Sequence, residues 1–178
     1  MPEVFVSDEQ AAVAVDVMRW SALAEGVLGA EGVRGAAELS VLFVAVDTIT
    51  ELNETFMDGH GPTDVLAFPI DADDPDLWRP PDPALQGPDR PEPDPGDAPL
   101  LLGDVVICPE VAAANAPDHA GTLDDELALL IVHGILHVLG RDHATPDEAI
   151  AMRSRERELL EALHWDGPAP AAFRQEQP

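Results

Sequence analysis

A chain of 178 residues with 46% hydrophobic positions has room for one domain with a real core and is too short for two. Its formal charge of -26 sets 35 acids against nine arginines and no lysine, a field that repels nucleic acid in bulk and favours solubility. The most apolar windows (41–46, 99–107 and 127–139) fall short of the roughly 20 residues that span a bilayer, and no basic, apolar and small-residue leader pattern opens the chain, so no membrane segment or signal peptide is expected.

In chain order, Ser7 to Gln10 reads as a capping box ahead of a first helix through QAAVAVDVMRWSALAEGVLGAEG. ELSVLFVAVD (38–47) is β-branched and apolar, which predicts a strand. Thr48 to Glu51 makes a second capping box, opening a short helix through TELNETFM; the turn DGHGP and a second strand, TDVLAFPI, follow. Residues 71–99 hold nine of the 35 acids and nine of the 18 prolines, too little apolar surface to offset the entropy of ordering, so a disordered acidic Pro-rich insertion is expected. LLLGDVVICP (100–109) predicts a third strand, in which the single cysteine, Cys108, is a buried small hydrophobe of a reducing cytoplasm.

A short helix is expected from Glu110 to Asn115, and Thr122 with Asp125 caps a long one, LDDELALLIVHGILHVLG, which Gly140 stops. Thr145, Pro146 and Glu148 start the last helix, which carries Arg153, Arg155 and Arg157, and residues 167–178 read as a flexible tail. The order predicts one α+β domain over 1–166, a small mixed β-sheet flanked by helices, with a metal site on a helix and the turn after it.

That site is HGILHVLGRDH, 133 to 143. His133 and His137 lie one turn apart on one helix face, and the glycine stop lets the chain double back to bring His143 to the same ion. Three neutral imidazoles and an open fourth position suit one catalytic zinc per chain, and such a set also has affinity for nickel or copper. The spacing is that of metzincin-type peptidases, whose general-base Glu follows the first histidine; here that position holds Gly134.

Asp142 and Arg141 are the candidate catalytic side chains: Asp142 to orient an imidazole or take a proton, Arg141 to meet an anionic substrate. Glu126 reads as a first-turn helix charge, and His60, His119 and His164 as solvated side chains.

HGILHVLGRDH resembles the HGxLHLxGyDH signature of the YbeY-type endoribonucleases, the rRNA maturation factors. ELNETFMDGHGPTDVLAFP is similar to that family's LNxxyRxxxxpTDVLSFP, and LLGDVVICPEVA to its LGDIvIcpexa. The resemblance, over most of residues 38 to 163, implies a metal-dependent hydrolase of single-stranded RNA acting on the small-subunit rRNA 3′ end and in ribosome quality control. It also implies zinc ligation by His133, His137 and His143, a cytoplasmic location, and rRNA and the small ribosomal subunit as partners, with a ribosomal protein or an assembly GTPase beside them. The family arginine falls on Met57, so its role does not carry over, and the acidic insertion is longer than the family's connection.

Two other readings stand beside the ribonuclease: a non-catalytic assembly factor with a structural zinc, and a metallopeptidase. Gly134 separates the last from the first, because a glycine can neither deprotonate the attacking water nor protonate a leaving amine. Phosphodiester cleavage asks less of that position.

Overall fold

Burial alternates strictly along Ala37–Phe43, and that period of two builds the centre of a four-stranded sheet. The computed structural model describes residues 1–70 and 99–175, so nearly all of the acidic 71–99 segment lies outside the described residues. The elements are β1 (Glu3–Asp8), α1 (Val17–Ala30), β2 (Ala37–Phe43), α2 (Val46–Phe56), β3 (Val65–Pro69), β4 (Leu100–Ile107), α3 (Pro109–Asn115), α4 (Leu123–Val138) and α5 (Pro146–Leu163). Strand order is β1-β2-β4-β3, with β1, β2 and β4 parallel and β3 antiparallel to β4. This is the α+β domain with a small mixed sheet that the sequence predicts.

One sheet face carries the larger core. Leu39, Val41 and Phe43 of β2 and Val105 and Ile107 of β4 pack with Trp20, Leu23 and Val27 of α1 and Leu127, Ile131 and Ile135 of α4. On the other face Val106 and Cys108 meet Leu66 and Ile49, the buried side of α2. Cys108 is fully buried, as its apolar run implies. The two sets separate because side chains alternate across the sheet, and an extra residue at Leu102 resets the parity of β4. Gly103 makes that bulge workable: its φ is 149°, and a Cβ there would strike the carbonyl oxygen of Phe68 on β3.

Three local expectations differ from what the chain does. Ser7 to Gln10 does not start a helix; EVFVSD pairs with β2 from Glu3 to Asp8. The Gln10 side chain turns onto Val13, donating to its carbonyl at 2.7 Å and accepting from its N–H at 2.9 Å, and α1 starts instead at Asp16, which caps the N–H of Arg19. Thr48 likewise lies inside α2, which opens at Val46 without a side-chain cap, directly after the Val44 N–H closes onto the Ile107 carbonyl. Finally, the described part of the expected tail is docked: Phe173 is buried, edge-on to Trp165 with centroids 4.7 Å apart, and the Arg174 N–H donates to the His119 carbonyl at 3.0 Å. An aromatic ring with an apolar cleft to fill overrides the Pro/Ala composition around it.

Candidate metal centre

Thr122 accepts from the Asp125 N–H at 3.1 Å and starts α4 as the sequence predicts. Eleven of the sixteen residues in α4 are buried, so the helix is held between sheet and helices and its histidines have little freedom to move. Gly134 is part of the reason it lies so close. A Cβ at position 134 would sit 2.5 Å from Cγ1 of Val105, so this glycine is where α4 presses onto β4. The position that carries a peptidase's base is a packing contact with the sheet in this chain.

The C-terminus of α4 closes with a paired set of bonds. The Arg141 N–H donates to the Leu136 carbonyl and the Gly140 N–H to the His137 carbonyl, both at 2.9 Å, while Gly140 takes φ 87°. That is the Schellman arrangement, and it reverses the chain within two residues. His143 thereby returns to the histidine face of α4. Ring centroids of His133 and His137 lie 4.5 Å apart, His137 and His143 5.0 Å, and His133 and His143 5.7 Å. One ligand nitrogen from each falls within 4.8 Å of the other two, close enough to share one ion. His143 is exposed and the other two half-buried, so the site opens to the surface.

Burial above all, then the neighbouring His133 and His143, pushes His137 down to about 4. It is therefore neutral, the form that ligates, across the physiological range.

Asp142 does not orient an imidazole: its Oδ1 accepts from the His143 backbone N–H at 2.7 Å and so stiffens the turn. The orienting carboxylate is Glu156 of α5, whose Oε1 lies 2.7 Å from Nδ1 of His133. With Nδ1 occupied, Nε2 is the nitrogen of His133 left for an ion. Glu156 is buried, and its Oε2 accepts from Nε2 of Gln175 at 2.8 Å. A signal for it was present, since Met152, Glu156, Leu159 and Leu160 form one helical stripe in which the acid stands at a core position.

Arg141 is also spoken for. Its Nε and Nη2 donate to Oε2 of Glu31 at 3.1 and 2.9 Å, and Arg155 holds Oε1 of the same buried carboxylate at 2.6 Å. Glu31 ends α1, where a negative charge opposes the helix dipole, and two guanidiniums compensate for it. The consequence is a tie between α1, α5 and the ligand-bearing turn.

Glu126 is not a solvated helix charge but fully buried, with its oxygens 2.8 and 2.9 Å from Nδ1 of His119 and Oε2 accepting the Ala120 N–H at 3.1 Å. His119 is accordingly half-buried, and its Nε2 has no hydrogen-bond partner among the described residues. His164 is likewise inside, its Nε2 2.8 Å from Oδ1 of Asp125, which also accepts from the Trp165 indole. His60 and Met57 are exposed, and Met57 caps the C-terminus of α2.

A family model described as Endoribonuclease YbeY matches residues 5–164. Relatives of that name include one from Mycolicibacterium vanbaalenii, 44% identical over 155 residues, covering 87% of this chain and 76% of its own length. Another, from Parafrankia sp., is 42% identical over 166 residues, 93% of this chain and 96% of its own. The solution structure of TM1509 from Thermotoga maritima has a similar fold, with a TM-score of 0.52 at 21% identity over 93% of each chain. Three facing imidazoles, the glycine turn that gathers them and a match spanning nearly the whole domain lead to one conclusion: the chain belongs to the YbeY endoribonuclease family.

Proposed function

We propose that this protein is a zinc-dependent endoribonuclease that cleaves single-stranded RNA, acting in the cytoplasm on ribosomal RNA at the 3′ end of the small-subunit species and in ribosome quality control. The observation that carries the reading is the His133, His137, His143 face with His133 fixed through Nδ1 by Glu156. The donor set fits zinc: three neutral nitrogens, one of them held in its tautomer by a buried carboxylate. When bound, a zinc ion supplies Lewis acidity toward a phosphoryl oxygen and lowers the pKa of water.

The chain's own part is positioning. Gly140 turns His143 inward, Asp142 stiffens that turn, and the Glu31 ion pairs tie it to α1 and α5. Glu156 is a positioning residue, since both its oxygens are already engaged. The packing contact at Gly134 weighs against peptide hydrolysis, because no carboxylate fits there without displacing Val105.

At -26 the molecule repels polyanions at long range, which favours delivery to RNA by the small ribosomal subunit, through a ribosomal protein or an assembly GTPase. The test is cleavage of a single-stranded RNA by zinc-loaded wild type and His137→Ala, with metal content measured on both. Wild type should carry one zinc per chain and cut; the variant should lose both. Equal cutting by the two proteins would remove the catalytic reading and leave an assembly factor with a structural metal.

A further inference from the structure

In a chain with 35 acids, an arginine without a carboxylate partner stands out. Among the seven described arginines, Arg19, Arg141 and Arg155 are ion-paired. Arg34, Arg153, Arg157 and Arg174 have no carboxylate partner among the described residues, and three of these four line one open cleft of about 940 Å³.

Arg153 and Arg157 sit four residues apart on α5 and so share a face. Arg174 reaches the same cleft because the C-terminal segment is docked there. Phe173 is buried under the Arg157 guanidinium, 5.7 Å from the ring centroid, and the Gln175 side chain donates to the Arg153 carbonyl at 2.8 Å. The cleft is wired to the metal centre by hydrogen bonds: Gln175, which lines it, donates to Glu156, and Glu156 holds His133. Two acids, Asp64 and Asp118, line the cleft as well, against its three arginines.

From this placement we infer that Arg153, Arg157 and Arg174 form a backbone subsite, taking the phosphodiesters of a single strand that runs away from the His133, His137, His143 centre. The inference rests on the RNA reading and names where the chain holds its substrate, given that the family's arginine position is Met57. Guanidiniums read phosphate without reading bases, so the subsite confers grip and direction but no sequence preference. It also reconciles the net charge with the substrate, because a local cation cluster binds a strand that the global field repels.

Binding and cleavage are measured separately. Binding uses zinc-loaded full chain and a short fluorescein-labelled oligothymidylate, followed by anisotropy across a salt titration; cleavage uses single-stranded RNA. Each arginine on a phosphate should contribute about 0.7 to the slope of log Kd against log salt. The triple variant Arg153→Gln, Arg157→Gln, Arg174→Gln should therefore lose about 2 from the slope and raise KM for RNA, with kcat and zinc content kept.

The corresponding lysine variants, which retain charge, should keep the slope, and Arg34→Gln, outside the cleft, should match wild type. If wild type cuts RNA and the triple variant keeps the full slope, the subsite is overturned and the ribonuclease reading stands. A slope that falls in a protein with no metal-dependent cutting supports the subsite and sinks the ribonuclease. Equal loss in the glutamine and lysine variants, or no binding by wild type, also overturns the subsite.

Discussion

Replacing Glu156 with glutamine leaves a side chain of the same length against Nδ1 of His133 and removes the charge that makes the imidazole a better ligand. Zinc affinity, read by competition with a chromophoric chelator, should fall by about 10–100-fold while the fold survives. Asp142→Asn should change it little, since Asp142 serves a backbone N–H.

Position 134 gives a sharper test of packing. An alanine gains about 1 kcal/mol of helix propensity, yet its Cβ meets the stiff, β-branched Val105 at 2.5 Å with the sheet behind it. Overpacking should win, and Gly134→Ala should destabilise by about 1–3 kcal/mol in urea unfolding, with Val105→Ala restoring part of the loss.

Protonation adds a third check. In the metal-free protein His137 titrates at about 4 rather than 6.5, so the unfolded chain binds the extra proton between those values. The stability this group contributes is complete above about pH 6.5 and disappears as the pH falls to about 4. The urea midpoint of zinc-free protein should drop across that window, and His137→Asn should flatten the drop.

At the scale of elements, the turn after α4 decides whether three histidines make one site. Gly140 holds φ 87°, which a β-branched residue resists. Gly140→Val should leave the helices in place, by far-ultraviolet circular dichroism, and lose zinc as completely as His143→Ala does. Local chemistry of this kind was legible in the sequence: Thr122 and Thr145 cap α4 and α5, and the H-x3-H-x5-H spacing and its glycine lie within one helix and its turn. What stayed hidden is what distant chain supplies. EVFVSD becomes a strand only by pairing with β2 some 35 residues on, with Phe5 left outside, so its own pattern matches a capping box as readily. Glu156 acquires its role from His133, 23 residues away; its place in the apolar stripe of α5 signals burial but not the imidazole that it faces. The burial of Glu126 and His164 is hidden for the same reason, because burial by a neighbouring element leaves no mark on local composition.

Across the whole molecule, the C-terminal segment fastens the cleft side of the domain. Phe173 fills the space between Trp165 and Arg157, and a buried phenylalanine cut to alanine costs about 3–5 kcal/mol. Phe173→Ala should therefore lower the melting temperature clearly and, by freeing Gln175 from Glu156, weaken zinc as well. A large fall in melting temperature with unchanged zinc affinity would show that the segment stabilises the fold without reaching the metal centre. Charge is distributed with equal economy. Among the described residues, three arginines pair with acids, and three of the four without a carboxylate partner line the one cleft beside α5.

The hydrogen-bond chain from Gln175 through Glu156 to His133 runs against the direction of synthesis. A nascent chain that has emerged as far as α4 possesses two ligands, without the third, without the carboxylate that fixes the first, and without the arginines of the cleft. The centre is completed by chain that follows α4 in the sequence. A fragment ending before α5 therefore carries all three histidines but lacks the carboxylate that fixes His133 through Nδ1.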